Sequence, residues 1–158
     1  MNAHEERMCE LQADIFESSR DRFPCGSTFF VTRYMRSPIA KKLDRTEDEY
    51  NYISLEEAMS LLEDAYPSLK KESDKKLPGQ VLRWMGYIYR CYGIRKRISS
   101  LRLYKVLKAE KLLSLYEAFH TLDPDECVDR IEEAIKENAP LKQSDYEVFR
   151  ATRLKFNQ

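Results

Sequence analysis

The segment from Gly79 to Lys96 constrains this chain more than any other. At 100° per residue, Trp84, Ile88, Val81, Tyr92, Met85, Tyr89 and Leu82 fill an arc of roughly 160°, wider than the stripe of a helix lying on a surface. A helix apolar over so much of its circumference needs neighbours on more than one side. The segment therefore predicts a bundle with this helix at its middle, and the rest of the chain supplies the helices to surround it.

Met8, Leu11 and Ile15 share one face of a first helix that ends before Phe23-Pro24. Ser27 is placed to cap a short helix through Phe30 and Met35, although Thr28 to Thr32 also has strand propensity. Ser37-Pro38 reads as an N-cap with proline at the first helical position, giving a turn or two through Leu43. An acidic loop follows, from Asp44 to Tyr50. Ser54 and Glu57 make a capping box for a helix bearing Leu55, Met59, Leu62 and Tyr66, which Pro67 ends. The polar, Lys-rich stretch 68–78 is expected to be a mobile loop or, alternatively, the exposed end of a helix. Beyond the central helix, Ser99 or Ser100 caps a short basic helix, and Ala109 to Phe119 makes one with Leu112, Tyr116 and Phe119 aligned. Asp123-Pro124 opens a helix carrying Val128, Ile131 and Ile135, and Ser144 with Glu147 caps a terminal one. The expected architecture is a single all-α domain over residues 1–158, with seven or eight short helices around the one at 79–96. Four Gly and six Pro in 158 residues are too few turn-formers for a β-sandwich or barrel.

The 27 Lys+Arg and 27 Asp+Glu cancel, which argues against a uniformly basic nucleic-acid binder, but they are strongly segregated. Asp44 to Asp64 holds eight acids and one base, Gln80 to Leu112 nine bases and one acid, and Leu113 to Asn138 eight acids and two bases. On the central helix, Arg83, Arg90 and Arg97 recur every seven residues opposite the apolar arc, with Gly86 and Gly93 beside them. A glycine inside a helix costs about 1 kcal/mol relative to Ala, so two of them suggest close backbone approach. The groove so formed would receive an acidic partner helix, with Trp84 or Tyr87 adding apolar contact, or a phosphate backbone. Equally, it would receive one of the chain's own acidic helices, such as that carrying Asp129, Glu132 and Glu133. The candidate partner-binding set is Arg83, Gly86, Tyr87, Arg90, Gly93 and Arg97. A nucleic-acid reading adds Arg95, Lys96, Arg102, Lys105, Lys108 and Lys111 for phosphates, with Tyr87 and Tyr104 for stacking on bases.

Nucleotide-binding, metalloprotease, serine-hydrolase and EF-hand motifs are missing from the sequence. Cys9, Cys25, Cys91 and Cys127 form no metal-ligand spacing, and reduced thiols in a cytosolic protein are expected. No apolar run approaches the ~20 residues that span a bilayer. Of two histidines, His120 is the one placed for acid–base chemistry, with Asp123 three residues on and Cys127 a turn further. The simpler reading gives His120 to a helix C-terminus and Thr121 or Asp123 to the cap of the next helix. Neither a cofactor nor a metal is implied, and the reading is non-enzymatic.

Three blocks carry a family resemblance: Phe30 to Ser37 with Ala40 to Asp44; Trp84 to Arg90; and Ser99-Ser100 with Leu103 to Lys108, Tyr116 and His120 to Pro124. Over about Phe29 to Ile135 the chain resembles a family of uncharacterised small helical proteins of Gram-positive bacteria. Genes of that family accompany small toxin-like genes, some resembling ADP-ribosyltransferases. The resemblance implies an antitoxin-like or accessory subunit whose partner is a protein such as a toxin, and it assigns no residue a role. The expected function is thus a cytosolic protein-binding subunit of a toxin–antitoxin or defence-type locus. The alternatives are a nucleic-acid-binding regulator using 83–111 and a small enzyme around His120.

Overall fold

The computed structural model describes residues 1–45, 52–72 and 75–138. The first helix, α1 (Ala3–Arg22), runs for 20 residues. Asn2 and Glu5 start it with reciprocal cap bonds, the Asn2 Oδ1 accepting from Glu5 N at 2.8 Å and Glu5 Oε2 from Asn2 N at 3.1 Å. Its buried face is Met8, Cys9, Gln12, Ala13, Ile15 and Phe16. That face lies along α5 (Gly79–Lys96) in the most extensive helix pairing of the fold. The central helix is where its apolar arc predicts it. Its main companion, however, is the first helix of the chain.

The stretch with mixed helix and strand propensity is helical, α2 (Ser27–Met35). Phe30, Val31, Tyr34 and Met35 all turn inward, an inside face that a period of two would break. Gly26, not Ser27, is the N-cap, because the Ser27 hydroxyl accepts a bond from Leu77 N at 2.9 Å. An aromatic cluster joins α1 to α2: the Phe16 ring stands edge-on to Phe30 and Tyr34 at 5.7 and 5.0 Å, and Phe23 stacks on Phe30 at 5.7 Å. Each such buried ring is worth roughly 1.5–3 kcal/mol in transfer free energy.

Ser37 caps α3 (Pro38–Leu43), and Ser54 caps α4 (Leu55–Ala65), as their sequences require. Pro67 ends α4 and begins a single 3₁₀ turn, Pro67–Lys70. The expected loop at 68–78 is tethered where it is described. Leu69 is fully buried, its carbonyl accepts from Cys25 N, and the Lys76 ammonium donates to the carbonyls of Arg20 and Phe23. The Lys-rich composition that suggests solvent is here used to close the C-terminus of α1.

Ser99 caps α6 (Ser100–Val106). The helix expected over 109–119 is broken at Leu115 into α7 (Ala109–Ser114) and α8 (Tyr116–Phe119). The Ser114 hydroxyl bonds back to the Lys111 carbonyl at 2.6 Å, a local competitor of the helical ladder that bends the chain. Asp123 opens α9 (Pro124–Asn138), which seats Cys127, Val128 and Ile131 in the core beside α5. The described residues thus form an all-α bundle of nine helices and no strand, against seven or eight expected. The expected terminal helix from Ser144 lies outside the described residues, as does most of the acidic loop.

Candidate functional site

The arginine row of α5 divides into three environments set by what covers each turn. Gly86 touches α1: a Cβ placed there would lie 2.6 Å from the Gln12 carbonyl oxygen and 2.9 Å from Phe16 Cγ. The close approach inferred from the two glycines holds at Gly86, where the approaching helix is α1; at Gly93 a Cβ would meet only the Ile98 carbonyl oxygen of the following turn, at 3.1 Å. Gly86 is covered by α1, and Arg90, 2% exposed, reaches only the wall of a polar cavity beside Asp44 and Ser99, which removes both from a helix-docking surface.

Arg90 is 2% exposed and is the hub of a polar network inside the core. Its Nε and Nη2 donate to Gln12 Oε1 at 3.1 and 2.8 Å, and Nη2 also reaches the Ala40 carbonyl and Ser100 Oγ. Nη1 donates to Asp44 Oδ1 at 2.6 Å. Tyr34 donates its hydroxyl to the same Gln12 oxygen at 2.8 Å, and Gln12 Nε2 donates to the Gly86 carbonyl at 2.9 Å. Asp44 also takes the N–H and hydroxyl of Ser100, so it caps α6 while neutralising the buried guanidinium. Residues from α1, α3, α5 and α6 are locked together by one charge pair that burial leaves little room to lose.

Arg83 lies at the rim, paired with Asp14 and Glu10 of α1, and its guanidinium is held above its ordinary pKa by the hydrogen bond it donates to Asp14. Arg95 and Lys96 face α9: Arg95 meets Asp125 and Asp129 at 3.5 and 3.4 Å, and Lys96 meets Asp129 and Glu132 at 3.3 and 3.5 Å. The acidic helix carrying Asp129 and Glu132 is therefore an internal partner of the basic block, at its C-terminal end. Arg95 and Lys96 leave the nucleic-acid set for that reason. Tyr104 leaves the stacking pair because it is 4% exposed, its hydroxyl 2.6 Å from Thr32 Oγ1.

The remaining cations behave differently. Arg97, Arg102, Lys105 and Lys108 are exposed and make no ion pair among the described residues. Arg102 and Lys105 stand on α6 with two outward apolar side chains, Leu101 at 46% and Val106 at 53% exposure. The start of α6 borders a groove of about 520 Å³ lined also by Met35, Arg36, Ser37, Pro38, Lys41 and Tyr66, with Asp44, already paired with Arg90, at its edge. Arg36 and Lys41 are likewise exposed and without an ion pair among the described residues. Folding thus gathers a basic and apolar face from residues some 60 positions apart, invisible in the linear charge blocks. Gly93 and Arg97 are on the other side of Asp44 and Ser99, in a separate polar cavity.

Tyr87 and Arg83 share a shallow groove with Trp84, Ile88, His120 and Pro124. His120 stacks on Tyr116 with centroids 4.3 Å apart, and its Nδ1 is 2.7 Å from the Tyr116 carbonyl oxygen. A carbonyl only accepts, so this bond assigns the proton to Nδ1 and leaves the Nε2 lone pair outward. Asp123 does not orient the ring: its Oδ2 accepts from Asp125 N at 3.1 Å and caps α9. Cys127 is buried against α5, and burial pushes its thiol up to about 12. The His120, Asp123 and Cys127 suggested as one corner do three separate jobs.

Sequence reading treats the cysteines as scattered, yet Cys9 of α1, Cys91 of α5 and Cys127 of α9 are all buried and interact electrostatically, while the Cys9 Sγ lies 3.8 Å from Met1 Sδ. The neighbouring Cys91 and burial hold the Cys9 thiol well above its ordinary range, and burial raises Cys25. All four are buried; the fold favours the protonated form of Cys9, Cys25 and Cys127, whereas the Cys91 thiol is lowered by its neighbour Cys9. Among the described residues no group of His, Cys, Asp and Glu could hold a metal ion, and no helix is long and apolar enough to cross a membrane. The described residues define an all-α bundle with a buried arginine hub and a basic, partly apolar outer face. Comparison with protein-family models, curated proteins and solved structures found no match to this chain.

Proposed function

We propose that the chain is a non-enzymatic protein-binding subunit, antitoxin-like or accessory in role, that captures an acidic amphipathic segment of its partner on the α3–α6 face. What carries the reading is the partition of charge. Arg83, Arg90, Arg95 and Lys96 are neutralised by α1, Asp44 and α9, whereas Arg36, Lys41, Arg102, Lys105 and Lys108 have no ion pair among the described residues. Leu101 and Val106 stand among those cations, and the apolar floor of the groove is supplied by Met35, Pro38 and Tyr66. A purely phosphate-binding surface has no use for exposed aliphatic side chains, while an acidic amphipathic helix matches both features. The family resemblance would make the product of a neighbouring gene that partner.

The test places a photo-crosslinking residue at Lys105 and, as a control, at exposed Glu117 in α8, with purification from the native host under nuclease treatment. Expected is a stoichiometric protein cross-linked from position 105 alone, through a segment rich in Asp and Glu. Arg102→Glu with Lys105→Glu should weaken capture at least 100-fold, about 2.7 kcal/mol, with unchanged helicity. Nucleic acid that co-purifies, and is lost with nuclease or rising salt, would replace this reading with the nucleic-acid one.

A further inference from the structure

A second site lies at the opposite end of the Arg90 hub. The N-terminus of α1, the C-terminus of α5 and the Ile98-Ser99 turn enclose a polar cavity of about 650 Å³. Its acids are already committed. Glu5 accepts from the Asn2 N–H, and Asp44 accepts from Arg90 and Ser100. Its donors are not. Arg97 projects from the one left-handed non-glycine residue among the described residues, φ 51°, and has no ion pair there. Arg90 uses its Nε, its Nη2 and one Nη1 hydrogen, leaving one Nη1 N–H without a partner among the described residues. His4 on the cavity wall is 8% exposed, and its Nε2 is buried with no hydrogen-bond partner.

An orphaned buried imidazole nitrogen is costly and calls for an occupant. The uncommitted groups here are a guanidinium, a guanidinium N–H and an imidazole, beside the positive end of a 20-residue helix. We propose that this cavity binds a small molecule through an oxyanion group, phosphate or carboxylate, clamped by Arg97 and His4 with the Arg90 N–H behind them. The planar fork of Arg97 suits either oxyanion. The left-handed position it occupies is one where glycine is the ordinary choice, so the side chain is retained there at a conformational disadvantage. This inference does not rest on the docking face, whose test uses Arg102 and Lys105.

The two histidines make the test direct. His4 is buried in the cavity, and exposed His120 serves as an internal control. Inorganic phosphate and succinate are titrated separately into the wild-type protein at fixed ionic strength, with chloride as the reference salt, and the ring nitrogen and carbon signals of both histidines are followed. Expected is saturable movement of the His4 signals, with His120 unmoved, for at least one of the two anions. Which of them saturates at the lower concentration separates phosphate from carboxylate ligands. Arg97→Gly keeps the left-handed cap and should fold at least as well, yet bind at least 10-fold more weakly. His4→Gln should weaken binding too, read by calorimetry. The proposal is overturned by His4 signals that move with neither anion or equally with chloride, or by unchanged binding in Arg97→Gly.

Discussion

Replacing Gly86 with alanine tests the close packing of α1 on α5 at its tightest point. The new Cβ would sit 2.6 Å from the Gln12 carbonyl oxygen and 2.9 and 3.0 Å from Phe16 Cγ and Cβ. Ordinary carbon contacts lie near 3.3 Å to oxygen and 3.5 Å or more to carbon, so the helices must separate by roughly 0.7 Å. Phe16 cannot swing away, because Phe30 and Tyr34 hold it edge-on, and the Gln12 carbonyl belongs to a helix backbone. Overpacking of this kind costs about 1–3 kcal/mol. Stretching the buried bond from Gln12 Nε2 to the Gly86 carbonyl adds about 1 kcal/mol. Against these, alanine is the better helix former by about 1 kcal/mol. The net expectation is a loss of about 2 kcal/mol, seen as a fall of ~1 M in the urea midpoint at unchanged slope. Gly79→Ala is the control, since its Cβ would meet nothing closer than Glu17 Cγ at 3.6 Å and should leave the midpoint within about 0.5 kcal/mol of wild type. A Gly86→Ala protein as stable as the wild type would refute the packing argument. So would equal losses at both glycines.

Arg90→Met should cost about 3–5 kcal/mol, because it leaves the Asp44 carboxylate and Gln12 Oε1 without their cation. Adding Asp44→Asn should recover part of the loss, and strict additivity of the two in urea melts would mean the pair is not coupled. Alkaline stability follows from groups whose neutral forms the fold prefers. Burial pushes the Tyr87 phenol and the Cys127 thiol up to about 12, and raises Tyr89 and Tyr92. The unfolded chain releases those protons first, near pH 9 for thiols and 10 for phenols, so it binds fewer protons than the fold above those values. Their contribution is complete below about pH 8.5 and should be lost progressively as pH rises toward 12. Urea midpoints taken at pH 8, 9.5 and 11 should therefore fall in that order, and a rise would contradict the assignment.

The central helix was readable because its apolar arc is wide enough to decide its position without knowledge of any neighbour. Capped helices at Ser37, Ser54, Ser99 and Asp123 were readable because a cap is a bond between residues two or three apart. The place of α1 was not. Met8, Leu11 and Ile15 look like any surface stripe, and the residues that bring α1 against α5 include Gln12, a polar side chain whose partners lie 22 and 78 positions away. On a helical wheel Arg83, Arg90 and Arg97 are equivalent, yet one is a rim ion pair, one the buried hub and one a left-handed cap with no ion pair among the described residues. Only the covering elements distinguish them, and those are set by tertiary pairing. The same reasoning explains why the candidate face escaped sequence reading. Charge blocks state how much of each sign a segment carries, but a surface keeps only what internal pairing leaves over. Acids on α1 and α9, with Asp44, consume most of the bases of α5, and that subtraction leaves Arg36, Lys41, Arg102 and Lys105 without an ion pair among the described residues. A chain of zero net charge can present a basic face in this way, provided its acids are spent holding its own helices together.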